Sequence, residues 1–205
     1  MKLIIRRGCN EDLEGVYNLH VKCFPIADCW YKSAIKPHLE NSIIIEVANN
    51  NVLTNKIIGV LLQDYITPCN KKIKLDDQES SEYKEDIFVN KISDDINVNT
   101  IAIDFIKNNK QYTQIYGIIM ICIDPRYRRH GLAKKLIEKH FIDNEDKHTM
   151  LCLNTRQSNS NAYELYKSMG YIQIAIIKNK YFLPSEDSIF MIKHLTDLQP
   201  QNTNL

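Results

Sequence analysis

Between Arg126 and His140 the chain gathers Arg126, Arg128, Arg129, Lys134, Lys135 and Lys139 against Glu138 alone, a local excess of +5 in a protein whose net charge is +1. The same stretch holds a turn glycine, Gly131. Ahead of it, Ile118 to Ile123 is an unbroken apolar run rich in β-branched residues that reads as a buried strand, and Pro125 cannot donate to a continuing ladder. Behind it, Leu132, Ala133, Leu136, Ile137, His140 and Phe141 recur at helical spacing, which predicts a helix with one apolar face. A helix start leaves backbone N–H groups unpaired and carries the positive end of the dipole, and a glycine there lets the backbone approach a guest closely. Strand, basic turn and helix together make an anion cradle, and the guest it suits is a phosphate.

A second segment, from Met150 to Tyr171, could move a proton. Met150 to Leu153 is a short strand, Ser158 or Asn159 can cap a helix, Ala162, Leu165, Tyr166 and Met169 form its stripe, and Gly170 ends it. The pattern Arg128-x-x-Gly131-x-Ala133 resembles the acetyl-CoA diphosphate loop of the GNAT acetyltransferases. Asn159, Ala162, Tyr166, Gly170 and Tyr171 are similar to the second signature of that family. The resemblance implies that Arg128, Arg129, His130, Gly131, Leu132, Ala133 and Lys134 surround the diphosphate. It further implies that Ile121, Cys122 and Ile123 present backbone to the pantetheine, that Asn159 contacts the same arm, and that the Tyr166 hydroxyl protonates the departing thiolate.

Two further matches narrow the family. Lys180-Tyr-Phe followed by Glu186-Asp-Ser-Ile-Phe-Met191 is similar to the closing hairpin of the N-α-acetyltransferase catalytic subunits of the NatA, NatE and NatF types. There the turn aromatics line the peptide site, a role the resemblance gives to Tyr181 and Phe182. Cys23 to Ile35 resembles the Phe-Pro-Val loop and following helix of the NatE and NatF types, so Phe24, Pro25 and Ile26 would wall the first side chain of the substrate. In those types a Tyr and a His act as base through water. Tyr116 matches that Tyr when the count starts from Pro125, and Gly117 when it starts from Gly131; Asn154 occupies the His position. An amide takes no proton near neutral pH but can hold a water. An α-amine with pKa of about 8 is already roughly a tenth neutral at pH 7, whereas a lysine amine near ~10.4 is not, so a weak base suits the α-amine. Glu46 and His130 are the alternative bases.

The elements that must hold these residues follow in order. Lys2 to Arg6 is a strand; Asn10 caps a helix whose buried face is Leu13, Val16, Tyr17, His20, Val21 and Phe24; a short helix covers Trp30 to Lys36. Ser42–Ala48 and Lys56–Tyr65 form a hairpin through Asn49-Asn50-Asn51, with Gly59 marking close packing or a bulge. Residues 69–99 carry five lysines against eight acids and little apolar surface, which predicts a polar insertion, with a helical turn at 101–108 after it. The tail 197–205 is expected to be disordered. The fold expected is α/β in the mixed sense: a mostly antiparallel twisted sheet of about seven strands flanked by about four helices, in one domain over 1–196.

Composition agrees: 44% hydrophobic and 25% charged is ordinary for a globular chain. No apolar run reaches membrane-spanning length and no signal segment opens the sequence, so a cytoplasmic location is expected. The six cysteines show no CxxC pair or His/Cys cluster and read as free thiols, with no metal, nucleic acid or membrane partner expected. The activity expected is transfer of acetyl from acetyl-CoA to a protein N-terminus, most readily one starting with Met, with an auxiliary ribosome-associated subunit as a further partner. The alternatives are a GNAT that acetylates a small amine or lysine, and a catalytically idle GNAT fold that serves as a binding subunit.

Overall fold

The structure is a computed structural model and describes residues 2–25, 28–49, 52–65, 114–144 and 149–195. Ile26, the insertion at 69–99, the helical turn at 101–108 and the tail lie outside the described residues. Seven strands make one sheet: β1 (Lys2–Arg7), β2 (Ile43–Asn49), β3 (Val52–Tyr65), β4 (Gln114–Ile123), β5 (Thr149–Arg156), β6 (Ile172–Phe182) and β7 (Ser185–His194), ordered β1-β2-β3-β4-β5-β7-β6. Every pairing is antiparallel except β4 with β5, which are joined through a helix, as a parallel pair requires. The four α-helices of the described residues are α1 (Leu13–Cys23), α2 (Lys32–Ile35), α3 (Leu132–Asp143) and α4 (Ser160–Ser168).

The helices sit on the two faces, and strand alternation sorts the core. On one face α1 and α2 bury Val16, Leu19 and Ile35 against Ile44, Val60, Leu62, Met120 and Cys122. On the other, α3 and α4 bury Leu132, Leu136, Ile137, Phe141, Tyr166 and Met169 against Ile43, Ile45, Leu61, Leu151, Leu153 and Met191. Because β2 is covered on both faces, its sequence is a near-continuous apolar run rather than an alternating one. Gly59 marks close packing: a Cβ there would lie 2.9 Å from Ile123 Cδ1 and 3.2 Å from Ile45 Cδ1.

The sequence expectations need correction at several places. Asn10 does not cap α1. A 3₁₀ turn over Asn10–Asp12 precedes the helix, and Cys9 and Asp12 form the capping box, because Asp12 is also drawn into an ion pair with Arg6 (2.6 Å). Val21 is exposed, not buried, since α1 rests only its Val16–Leu19–His20 stripe on the sheet. β4 is longer than expected and contains a β-bulge: Leu62 pairs with Met120 and Gln63 with Ile118, leaving Ile119 as the extra residue.

His140 is fully buried, and its Nδ1–H donates to Gln63 Oε1, an acceptor shared with Asn144 Nδ2 at 3.1 Å. Burial, followed by the nearby Arg7 charge, holds its pKa down to about 3, so the imidazole is neutral in the folded chain. Below the ordinary value of 6.5 the unfolded chain binds a proton here that the folded chain refuses. Stability should therefore fall as pH drops from 6.5, by about 1.4 kcal/mol per pH unit from this group until the folded pKa is reached. Urea midpoints measured from pH 7.5 to 4.5 should decline along this slope; a flat profile would contradict it.

Candidate active site

The pairing of β4 with β5 runs from Gln114–Thr149 to Ile118–Leu153 and stops, while both strands continue. β4 stays paired to β3 as far as Ile123–Gly59, and β5 stays paired to β7 as far as Arg156–Ser188. The sheet therefore forks in its middle. The bulge at Ile119 sits at the branch, and the backbone edge of Ile119–Ile123 that faced β5 is left without a strand partner among the described residues.

At the open end of the fork β4 leads through a 3₁₀ turn (Pro125–Tyr127) into α3. Gly131 is the N-cap at φ 72°, makes no side-chain cap, and a Cβ placed on it would have nothing within 4 Å. Among the described residues the first N–H groups of α3 make no capping hydrogen bond. Arg129 also has positive φ (65°), and the basic side chains Arg128, Arg129, His130 and Lys134 are exposed around the turn. Arg128 Nε donates to the Ile123 carbonyl at 3.1 Å, while Arg126 is committed to Asp124 (2.7 Å) and adds nothing to the cradle. Leu132 is buried, so its contribution at this turn is its backbone. Exposed cations, uncapped N–H groups and backbone open to close approach fit a diphosphate.

Tyr166 rises from α4 into the fork. Its ring packs edge-on to Tyr171 (centroids 5.7 Å apart), and its hydroxyl feels both Cys122 of β4 and Tyr181 of β6. Burial first, then these two neighbours, push its pKa above the ordinary tyrosine value, so it holds its proton. Asn159 caps α4, accepting from Ala162 N at 3.2 Å, which leaves its Nδ2 without a partner among the described residues.

The opposite wall is polar and tied down by one arginine. Arg156, at the end of β5, donates to Asp28 Oδ1 (2.6 Å) in the loop after α1 and to Glu186 Oε2 (3.1 Å) on β7, and its guanidinium stands 4.1 Å over the Tyr181 ring. Loop and hairpin are held on the same side chain. Asn154 Oδ1 accepts from Ser188 Oγ at 3.1 Å, and Ser188 is also within hydrogen-bonding reach of the Tyr181 hydroxyl.

Residues 84–173 match the family described as an acetyltransferase (GNAT) domain. Over that stretch, somewhat under half of its length, the chain is similar to a GNAT acetyltransferase domain. It is 40% identical over 75 residues to the [ribosomal protein bS18]-alanine N-acetyltransferase of Escherichia coli (strain K12), a match over 35% of this chain and 50% of that protein. It is 34% identical over 79 residues to N-alpha-acetyltransferase 30 of Saccharomyces cerevisiae, over 38% of this chain and 44% of that one. The chain thus spans about half the length of the curated relatives it matches. Among solved structures, Arabidopsis thaliana NAA60 in complex with acetyl-CoA shares the fold, with TM-score 0.66 at 16% identity over 94% of this chain and 99% of that one.

Around the fork the structure gathers some expected site residues and separates others. Tyr166, Cys122, Tyr181 and Asn154 line or approach the fork, and Phe24 packs beside it against His20 (centroids 4.8 Å) while Pro25 is exposed. Tyr116 does not join Asn154. It pairs with Leu151, packs with the α3/α4 core and stands edge-on to Tyr65 (5.3 Å), whereas Asn154 has the opposite strand parity and bonds Ser188. Gly117, the residue reached by counting from Gly131, pairs with Cys152 and shares the face of Asn154. Phe182 is 73% exposed because it alternates with inward-facing Tyr181. Glu46 is spent on Arg6 (2.7 Å), and His130 bonds the Arg128 carbonyl (2.7 Å). Arg156, Asp28 and Ser188 were missed; Arg156 lies 128 residues from Asp28, and no local pattern announces such a contact.

Arg156→Met should leave Asp28 and Glu186 facing each other without a cation and cost about 1–2 kcal/mol, read as a lowered urea midpoint. Arg156→Lys should restore only part of it, because an ammonium cannot serve two carboxylates and an aromatic face as a planar fork does. Full restoration by lysine would contradict the clamp.

Proposed function

We propose that this chain transfers acetyl from acetyl-CoA to the N-terminal α-amine of a protein or peptide. The observation that carries the reading is a buried, protonated Tyr166 hydroxyl reaching into a forked sheet whose open end is an uncapped, basic helix start. The co-substrate would supply the thioester and acetyl group. Arg128, Arg129 and the N–H groups of Leu132 and Ala133 would hold its diphosphate; the free edge of Ile119–Ile123 would hold its arm as an added strand is held. Tyr166 would donate the proton that the departing sulfur needs. The expected further partner, a ribosome-associated auxiliary subunit, belongs to the same proposal.

The acceptor side offers polar but uncharged help. Asn154, Ser188 and Tyr181 can orient a water and the amine, while Asp28 and Glu186 are both held in ion pairs with Arg156. With the carboxylates of that wall paired to Arg156, the acceptor would arrive largely as the neutral amine, which an α-amine does far more readily than a lysine. The relative named for an alanine substrate and the apolar Phe24 wall leave both Ala and Met as first residues to be compared.

The test is CoA release with free peptides beginning Met-Leu, Met-Lys, Ala and Ser and with an amino-blocked peptide holding an internal lysine. Turnover of free N-termini alone is expected; turnover of the blocked lysine peptide alone would overturn the substrate class, and acetyl-CoA binding without any turnover would favour an idle fold. Tyr166→Phe should lower kcat by about 10²-fold with acetyl-CoA affinity unchanged. For the best peptide, kcat/KM should rise about tenfold per pH unit and level off near the α-amine pKa of about 8. Asn154→His should add an earlier rise near ~6.5; a wild-type profile already flat from pH 6 would mean that a base has been overlooked.

A further inference from the structure

The described cysteines occupy very different surroundings. Cys152 is sealed in the core, where burial pushes its thiol up to about 12. Cys9 is exposed, but Glu11 first and then Asp12 raise its pKa. Cys23 is different from both. It ends α1, is only partly buried, and its Sγ lies 3.3 Å from the Ile123 carbonyl, the same oxygen that accepts from Arg128 Nε at 3.1 Å. Cys23 also packs against the cluster of buried residues that contains Cys122, the neighbour of Ile123 on β4. The Cys122 S–H first, and the Arg128 guanidinium with it, outweigh burial and the Asp124 charge, which oppose the thiolate, and bring the Cys23 pKa down to about 7. Burial acts the other way on Cys122, which keeps its proton. One accessible thiolate and one protonated partner in contact are the two halves of an oxidisable pair.

We propose that Cys23 and Cys122 form a modification site for peroxide-class oxidants, closing to a disulfide that ties the end of α1 to the free part of β4. The Cys23 thiolate takes the terminal oxygen of the peroxide, whose O–O bond breaks; the sulfur is oxidised by two electrons to sulfenic acid and an alcohol or water leaves. The Cys122 sulfur, giving up its proton, then attacks the sulfenic sulfur, forming S–S and releasing water. In sum two thiols and one peroxide give one disulfide, one water, and one alcohol or second water. On the reading of β4 as the strand that holds the arm of acetyl-CoA, the bond would fix Cys122 toward α1 and reduce turnover several-fold, reversibly on thiol reduction.

The experiment treats the full reduced chain with limiting hydrogen peroxide, blocks remaining thiols with a maleimide, and maps disulfides in an unreduced digest. A Cys23–Cys122 link formed before Cys9 is touched, retained in Cys29→Ser and lost in Cys23→Ser, is expected. Oxidation of Cys9 or Cys29 first, or Cys23 running on to sulfinic acid without the link, would overturn the proposal. Because a cysteine variant can fail to fold, the rate of maleimide labelling at Cys23 in the unaltered chain is followed against pH as well; a midpoint near 7 supports the pair and one near 9 contradicts it. Mapping needs no activity. If the reduced chain turns over no peptide, the acetyltransferase reading fails while the disulfide is still decided; if it turns over and the mapped link leaves the rate unchanged, the proposed effect on β4 fails alone.

Discussion

The constraint on which the rest depends is that β4 and β5 stop pairing at Ile118 and Leu153 while each keeps its outer partner. Backbone N–H and C=O groups in the middle of a protein are costly to leave unmatched, so a sheet that opens here needs something to match them. The bulge at Ile119 makes the opening possible, because it inserts one residue and turns β4 away from its neighbour. Everything else in the site is placed relative to that opening. α3 begins just beyond the upper end of β4, and α4 packs where Tyr166 can reach between the strands.

Tyr166 and the polar wall lie on opposite sides of the fork and differ in polarity. Tyr166 sits in the apolar α3/α4 layer, where desolvation disfavours its anion. The other wall is built from Asn154, Ser188 and Tyr181, with Arg156 paired to two carboxylates and fastening the loop after α1 to the β6–β7 hairpin. Such a site protonates well and deprotonates poorly. It suits an acceptor that spends part of its time neutral at physiological pH, which is the physical reason for preferring an α-amine over a lysine.

What could be read from the sequence was local. The cradle from Arg128 to Lys134 is contiguous, and the 3.6-residue spacing of Ala162, Leu165, Tyr166 and Met169 assigns Tyr166 to the buried side of its helix. The mostly antiparallel sheet of seven strands was also expected in outline, though not the order of its strands. The facing of Tyr116 was not legible, because strand alternation gives the wrong face once a bulge intervenes, and hydrophobicity alone does not mark a bulge within Ile118–Ile123. Contacts between distant segments were hidden for another reason: Glu46 reads as an available base until Arg6, 40 residues away, is seen to hold it. The same applies to Arg156, whose neighbours in sequence say nothing of Asp28.

Amide hydrogen exchange with and without acetyl-CoA tests the central claim most directly, because it reads the forked backbone itself. Slowed exchange confined to Ile119–Ile123 and to the first turn of α3, Leu132–Lys134, is the result expected if the fork accepts the arm as a strand and the helix start accepts the phosphates. Protection that spared both segments, or no change at a concentration of acetyl-CoA that saturates binding, would contradict it.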